Sequence, residues 1–486
     1  MAYLDFHETH TGVVVLAGDR AYKAKKPLRT GFLDFRAPEQ RERACRREVE
    51  LNSRLSPESY FGVAHLSDPT GGPAEPVIVM RRYCDDDRLA AMVRRGPDES
   101  VREALDAVAD VLARFHRDAE RSQAINVQGG VAAIERRWRD NLSELHAHAA
   151  ASAPGVSAES VSRIEHLVTQ FIGGRGSLFT RRVEEWCIVD GHGDLLADDI
   201  FWVAGKPALL DCLEFDDALR YVDCIDDAAF LAMDLEFLGR KDFADYFLAR
   251  YAEHSGHRAP ATLRDFYIAY RATVRAKVDC VRLSQGHPEA ADDAASHLAI
   301  AAEHLQSGAV RLALVGGNPG TGKSTVARGI AEMFDAQVIS TDDIRRELRD
   351  SGVISGGSGV LDSGLYCPDN VAAVYEAILH RARLLLGNGR SVILDGTWRD
   401  PEMRGRASRL AGQTHSAMVE LMCSASVDMA ADRIVSRRPG NSEVTPEIAE
   451  VLAAQHSGWH TAHVIDTSRE PGQVLREAGE IWRRAS

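Results

Sequence analysis

The sequence predicts two folds on one chain: an α+β half with a small β-rich lobe and a larger helical lobe, followed by an α/β half built on a parallel sheet. Three observations predict this. Over residues 1–100, short apolar runs such as 13–16 and 77–80 are separated by turn residues, with one charged helical stretch at 38–55. From Val101 apolar positions recur at spacings of three and four, as in Val108, Val111, Leu112 and Phe115, and again in Ile134, Trp138, Leu142 and Leu145. Beyond Ser307-Gly308, strand-like and helical segments alternate, the pattern of a parallel sheet with helical crossovers.

Taken in order, the first half runs over residues 1–305, with its small lobe at 1–100 and its helical lobe at 101–305. Strand-like runs at 187–189 and 208–210 interrupt the helices. The second half, 306–486, reads as strands at 310–316, 336–340, 391–395, 417–423 and 463–466, each followed by a helical segment.

Composition bounds the chemistry. A chain of 486 residues is expected to form two to four compact units, at about 100–200 residues per domain. No apolar run approaches the ~18–20 residues of a membrane helix, and the N-terminus lacks a basic stretch followed by an apolar one. The eight cysteines are scattered with no C-x-x-C pair, which argues for reduced thiols in a cytoplasmic protein and against a structural zinc site. A formal charge of −14 argues against nucleic acid gripped by a broad basic face. A nucleotide remains compatible, because backbone amides, one or two cations and a metal can hold its phosphates.

The first chemical signal is Gly317-Asn318-Pro319-Gly320-Thr321-Gly322-Lys323-Ser324, followed by Thr325. It matches G-x-x-x-x-G-K-[ST] directly after an apolar strand and before a helix-competent stretch. Glycines let consecutive N–H groups curl round a phosphate, and the helix N-terminus adds its dipole. Lys323 can then reach the outer phosphates of ATP while Ser324 ligates Mg²⁺. The strand at 391–395 ends in Asp395, where a carboxylate supports Mg²⁺ or its water. After the second strand, Asp342 and Arg345 share a helix face. There Asp342 could accept a hydroxyl proton and Arg345 hold the partner anion. The same pattern also fits a capping Asp beside a solvated Arg.

These motifs resemble the P-loop kinase family with gluconate-kinase-like, zeta-toxin-like and polynucleotide-kinase-like members, in which a D-x-x-R motif follows strand two. The resemblance covers about residues 308–486. It implies that Arg433, Arg437 and Arg438 belong to a lid closing over the transferring phosphoryl group.

A second signature lies in the first half. His192-Gly193-Asp194-Leu195-Leu196-Ala197-Asp198-Asp199-Ile200 follows a short apolar strand, and Leu209-Leu210-Asp211 follows another. The spacing is that of a protein-kinase-type catalytic loop: Asp194 would orient or deprotonate an acceptor hydroxyl, with Asp199 and Asp211 on Mg²⁺. Upstream, Lys23 or Lys25 could contact the α/β-phosphates with Glu48 as ion-pair partner. Alternation places both lysines on one strand face and does not choose between them.

Together with AYKAKKP, GFLDF at 31–35, RREVELNSRL at 46–55, the run at 209–235 and RATVRAKV at 271–278, this loop resembles the aminoglycoside-phosphotransferase-like branch of the protein-kinase-like fold. The order of the two halves resembles a bacterial family of fused phosphotransferase-like and P-loop kinase-like proteins. Two positions depart from the pattern: Leu196 stands where the family has His, and Asp199 where it has Asn. Residues 9–12 also lack a G-x-G-x-x-G. An Asp can still ligate Mg²⁺, since hard cations prefer oxygen donors.

The expected function is an ATP- and Mg²⁺-dependent kinase transferring phosphate to a hydroxyl of a small molecule, with a second kinase site possible in the first half. Alternatives are a pseudokinase or ligand-sensing first half that regulates the second, and a kinase of nucleic-acid 5′-hydroxyl ends. The acidic run Asp216, Asp217, Asp223, Asp226 and Asp227 offers candidates for an aminoglycoside pocket, or equally loop and helix caps. Oligomeric state is not readable from the sequence.

Overall fold

Buried apolar faces divide the chain into two units, seen in a computed structural model that describes residues 4–8, 12–28, 34–67, 71–357, 363–436 and 458–485. One unit comprises Met1–Val161, Phe179–Ala259 and Tyr267–Ala302; the other comprises Ser162–Leu178, Pro260–Phe266 and Glu303–Ser486.

In the first unit, β1 (Leu4–Glu8), β2 (Gly12–Ala17), β3 (Arg20–Lys25), β4 (Tyr60–Leu66) and β5 (Glu75–Arg81) form an antiparallel sheet of order β1-β2-β3-β5-β4. The runs at 13–16 and 77–80 fall inside β2 and β5. The charged stretch is the Pro38–Ser53 helix, which opens on Pro38, where the missing N–H costs nothing. Gln40 reaches back to the Ala37 N–H at its start. The helix buries Arg41, Cys45, Glu48, Leu51 and Asn52, a set spaced by three and four that forms one face. Cys45 on that face packs with Tyr60, Ile78, Phe201 and Leu210, so the helix is locked between the small sheet and the segment that precedes Asp211.

The helical lobe carries two short ribbons. β6 (Ile188–Asp190) pairs with β9 (Tyr221–Asp223), and β7 (Ile200–Val203) with β8 (Lys206–Leu209), both antiparallel. They bracket the 192–199 loop and deliver Asp211 just past β8. Helices Asp98–Asp118, Cys224–Phe237 and Ala261–Ser284 surround them. The strand runs at 187–189 and 208–210 overlap β6 and β8, whereas β7 and β9 were not found from the sequence.

The second unit is built on a five-stranded parallel sheet of order β11-β12-β10-β13-β14, from β10 (Arg311–Gly316), β11 (Gln337–Ser340), β12 (Val392–Asp395), β13 (Ala417–Ser424) and β14 (His463–Asp466). Each lies within a residue or so of its expected position. β10 and β12 are buried along their whole length, which is why they read as unbroken apolar runs. Helices Lys323–Phe334 and Pro471–Arg484 pack Val326, Ala327, Ile330, Val474, Ala478 and Trp482 against the sheet. The order reverses around β10, so the loops after β10 and β12 open at the switch point where such sheets bind ligands. Among the described residues no helix is long and apolar enough to cross a membrane.

Candidate active sites

The loop between β10 and the Lys323–Phe334 helix has three glycines in the left-handed region: Gly317 (φ 127°), Gly320 (φ 79°) and Gly322 (φ 80°). A Cβ on Gly317 would lie 2.3 Å from the Cys423 carbonyl oxygen, and one on Gly320 would lie 2.4 Å from that of Ala430. Space and φ both demand glycine there. Thr321 Oγ1 and Lys323 Nζ donate to the Asn318 carbonyl at 2.7 and 2.8 Å, holding the loop closed on itself. Pro319 and Thr325 complete the turn and the first helical residues. Gly317 N–H donates to Thr397 O, tying the loop to the segment after β12.

Ser324 Oγ donates to Asp395 Oδ2 at 2.6 Å. Burial raises the Asp395 carboxyl above its usual range, an effect opposed by that hydroxyl and by the Lys323 charge. A hydroxyl and a carboxylate oxygen side by side at the start of a phosphate loop are the hard donors that Mg²⁺ takes.

Asp342 and Arg345 occupy one face of the Thr341–Asp350 helix, and Arg345 Nη1 donates to Asp342 Oδ1 at 2.8 Å. The Arg345 guanidinium lies 4.6 Å from the centre of the Tyr366 ring. Beyond β12, Trp398 is fully buried at φ 51°, its Nε1 donating to Leu394 O, with its ring edge-on to Tyr375. Arg433 donates to Oγ1 and the carbonyl of Thr467, and Thr467 Oγ1 donates to Thr321 O, so Arg433 is braced beside the phosphate loop. Arg437 and Arg438 lie outside the described residues.

The first unit uses a different material. Glu48, fully buried, pairs with Lys23 at 2.8 Å and with Lys25 at 2.6 Å. Lys23 also reaches Asp211 Oδ1 at 2.7 Å, and Lys25 reaches Glu214. The result is an alternating chain Asp211, Lys23, Glu48, Lys25, Glu214. Burial by itself would depress the Lys23 ammonium, yet Asp211, Glu48 and Glu214 together raise it well above its ordinary value. Lys25 is sealed between Glu48 and Glu214, whereas Lys23 stands beside Asp211; the two lysines that alternation leaves equivalent are therefore distinct in position. Asp211 itself sits at φ 63°, a conformation that costs a non-glycine residue about 1 kcal/mol or more and persists only when its surroundings fix it.

Three acids face one another in this cleft. The Lys23 charge pulls the Asp211 carboxyl below the usual range. Burial pushes Asp194 up to about 6, with Arg275 opposing and Asp211 adding. Burial, then Asp211 and Asp194, raise Asp199 well above its ordinary value. A group of carboxylates of which, among the described residues, only Asp211 has a paired cation fits a divalent cation. Among the described residues no three such side chains already stand together as ligands, so they would have to close on the ion.

The loop carrying Asp194 hangs on Asp227. Its carboxylate accepts from the N–H groups of His192 (2.7 Å) and Gly193 (2.8 Å), and His116 Nε2 lies 2.9 Å away. Burial would raise Asp227, but His116, His192 and these bonds hold it well below the usual range. Arg271 pairs with Asp226 at 2.7 Å and donates to Gly193 O. Asp234 accepts the Ala197 N–H at 2.8 Å. Asp216 and Asp223 cap helices through Ala218 and Ile225 N–H, Asp217 pairs with Arg220, and Asp223 also holds Arg182. The acidic run thus serves the loop and its helices. Sequence reasoning missed Glu214, His116 and Arg271 in these roles, and Tyr366 and Trp398 in the second unit. Arg271 and Glu214 had a visible signal, in the RATVRAKV stretch and the 209–235 run.

Fold and sites together define a protein with a P-loop kinase domain in its C-terminal part and an α+β kinase-like domain before it. A family model described as AAA domain matches residues 312–459. Over 483 residues the chain is 65% identical to "Uncharacterized protein Mb2027c" of Mycobacterium bovis, covering 99% of this chain and 96% of that one. The same figures hold for "Uncharacterized protein Rv2004c" of Mycobacterium tuberculosis. The chain belongs to the family of these mycobacterial proteins. Among solved structures it is similar to a sugar kinase from Janibacter sp., with 15% identity, TM-score 0.29, and 36% of this chain and 94% of that chain covered. It is also similar to a choline kinase from Cryptosporidium parvum, with 10% identity, TM-score 0.40, and 62% and 90% covered.

Proposed function

We propose that the chain is an ATP- and Mg²⁺-dependent phosphotransferase acting on a hydroxyl of a small molecule, with transfer at the P-loop site and a second kinase site before residue 305. The observation that carries this is the Ser324–Asp395 hydrogen bond at 2.6 Å, set at the mouth of a three-glycine loop. Backbone N–H groups of residues 320–324 bind the nucleotide phosphates, and Lys323 exchanges Asn318 O for a phosphate oxygen. Ser324 and Asp395 would hold Mg²⁺, which when bound neutralises charge on the phosphate oxygens. Asp342 takes the proton from the acceptor hydroxyl. Arg345, steadied by Tyr366, orients Asp342 and the acceptor, and Arg433 offers positive charge beside the loop. Water is excluded on the inner side by Trp398 and Tyr375. The charge of −14 disfavours nucleic-acid ends as acceptor, and the protein is read as cytoplasmic.

In the first unit Asp194 is the proton acceptor, Lys23 the phosphate contact, and Asp199 with Asp211 the Mg²⁺ donors. A ligand-sensing first unit is the second reading. It is favoured by the Lys23–Asp211 ion pair, which occupies two of the groups a kinase would use. The deciding experiment is transfer from labelled ATP across a metabolite panel by wild type, Lys323→Ala and Asp194→Ala. Unchanged ATP affinity and transfer in Lys323→Ala would remove the central reading. An Asp194→Ala protein that keeps every activity favours the sensor.

A further inference from the structure

The catalytic loop of the first unit carries no cation of its own. From His192 to Asp199 its charged side chains are all acids, and the position two residues after Asp194 is the apolar Leu196. Phosphoryl transfer nevertheless needs positive charge where the transferring oxygens accumulate negative charge. The nearby arginines are mostly spent. Arg271 is bound to Asp226 and Gly193 O, Arg220 to Asp190 and Asp217, and Arg54 to Asp190.

Arg275 is different. It lies one turn beyond Arg271 on the Ala261–Ser284 helix, and residues four apart share a helix face. Because Arg271 touches the loop at Gly193 O, that face is turned toward residues 192–199. Asp234 grips the same loop at Ala197 N–H. The Arg275 charge acts on the carboxyls of both Asp194 and Asp234. It is half-buried, and no hydrogen bond or ion pair ties it to another described residue.

We propose that Arg275 forms an oxyanion subsite beside Asp194, binding a phosphoryl group and supplying from a helix the charge that the loop lacks. The inference rests on the reading of the first unit as a phosphotransferase. The oxyanion is either the terminal phosphoryl group of the nucleotide or an anionic group on the acceptor.

The test uses the full chain in a Gly320→Ala background, which removes nucleotide binding at the P-loop site, with Arg275→Ala, Arg275→Lys and Asp194→Asn added singly. Binding of a non-hydrolysable ATP analogue, ADP and inorganic phosphate is measured with Mg²⁺, alongside the melting temperature. If Arg275 holds the terminal phosphoryl group, Arg275→Ala weakens the analogue at least tenfold, leaves ADP unchanged, and is partly rescued by Lys. If it holds an acceptor anion, only inorganic phosphate weakens, measured with ADP present. Equal affinities for analogue and phosphate in Arg275→Ala and its parent overturn the proposal. Failure of the phosphotransferase reading looks different: Asp194→Asn then changes no transfer activity, while phosphate binding still reports on Arg275.

Discussion

The candidate sites of the two units are of opposite construction. In the second, the cradle is backbone: three glycines at positive φ and one lysine within eight consecutive residues. In the first, it is side-chain charge: two lysines and three carboxylates drawn from β3, the Pro38–Ser53 helix and the segment after β8. A backbone cradle is local, tolerates no Cβ, and needs little help from elsewhere. A charge chain is assembled over long separations, and each member depends on the others for its ionisation state. The first kind should fail through sterics and the second through electrostatics.

The largest effect should come from the steric side. Lys323→Ala is expected to lower transfer at the P-loop site by at least ~10³-fold, given the size of such charge contacts in phosphoryl transfer. Gly320→Ala should remove nucleotide binding at the P-loop site, because its Cβ meets the Ala430 carbonyl oxygen at 2.4 Å. Transfer from labelled ATP reads the first and isothermal calorimetry with ATP the second, where loss of one of the two binding events is expected; an unchanged titration in Gly320→Ala would show that the loop yields.

Next, Glu48→Ala should leave Lys23 and Lys25 facing each other without their shared carboxylate. Breaking a buried pair costs about 3–5 kcal/mol. Urea denaturation should show that loss in the transition of the first unit while the P-loop unit keeps its nucleotide affinity. A fall in both would mean that the two machineries are not separable.

Asp194 must be ionised to accept a proton, and its carboxyl stands at about 6. First-unit transfer, measured in a Lys323→Ala background, should therefore rise with pH through about 6 and level off above 7. A profile flat from pH 5 to 8 would exclude Asp194 as the base. The smallest effect is expected from Asp199→Asn. Burial and its acidic neighbours raise Asp199, so its ionisation opposes folding above its unfolded value and costs nothing below it. The variant should melt higher than wild type at pH 7 and equally at pH 4. A lower melting temperature at pH 7 would mean that Asp199 is already compensated.

Legibility followed the same division. The P-loop, Asp395 and the Asp342/Arg345 pair are each encoded within a few residues, on strands buried enough to read as apolar runs. The catalytic-loop motif of the first unit was equally visible. Its supports were not: Glu214 pairs with Lys25 across 189 residues, and His116 meets Asp227 across 111. Nothing in local spacing marks a glutamate three residues after Asp211 as the second anchor of a lysine on β3. The acidic run at 216–227 looked like one feature, yet each of its members has a separate partner.

By itself, then, the sequence determined the two fold classes, the parallel sheet, the phosphate loop and the identity of the acids. Period and short motifs are fixed by backbone geometry, which is local. Tertiary structure decided which lysine stands beside Asp211 and which acid carries the loop. Those are outcomes of charge pairing in a buried interior, where a partner is chosen by distance in space and not by distance along the chain.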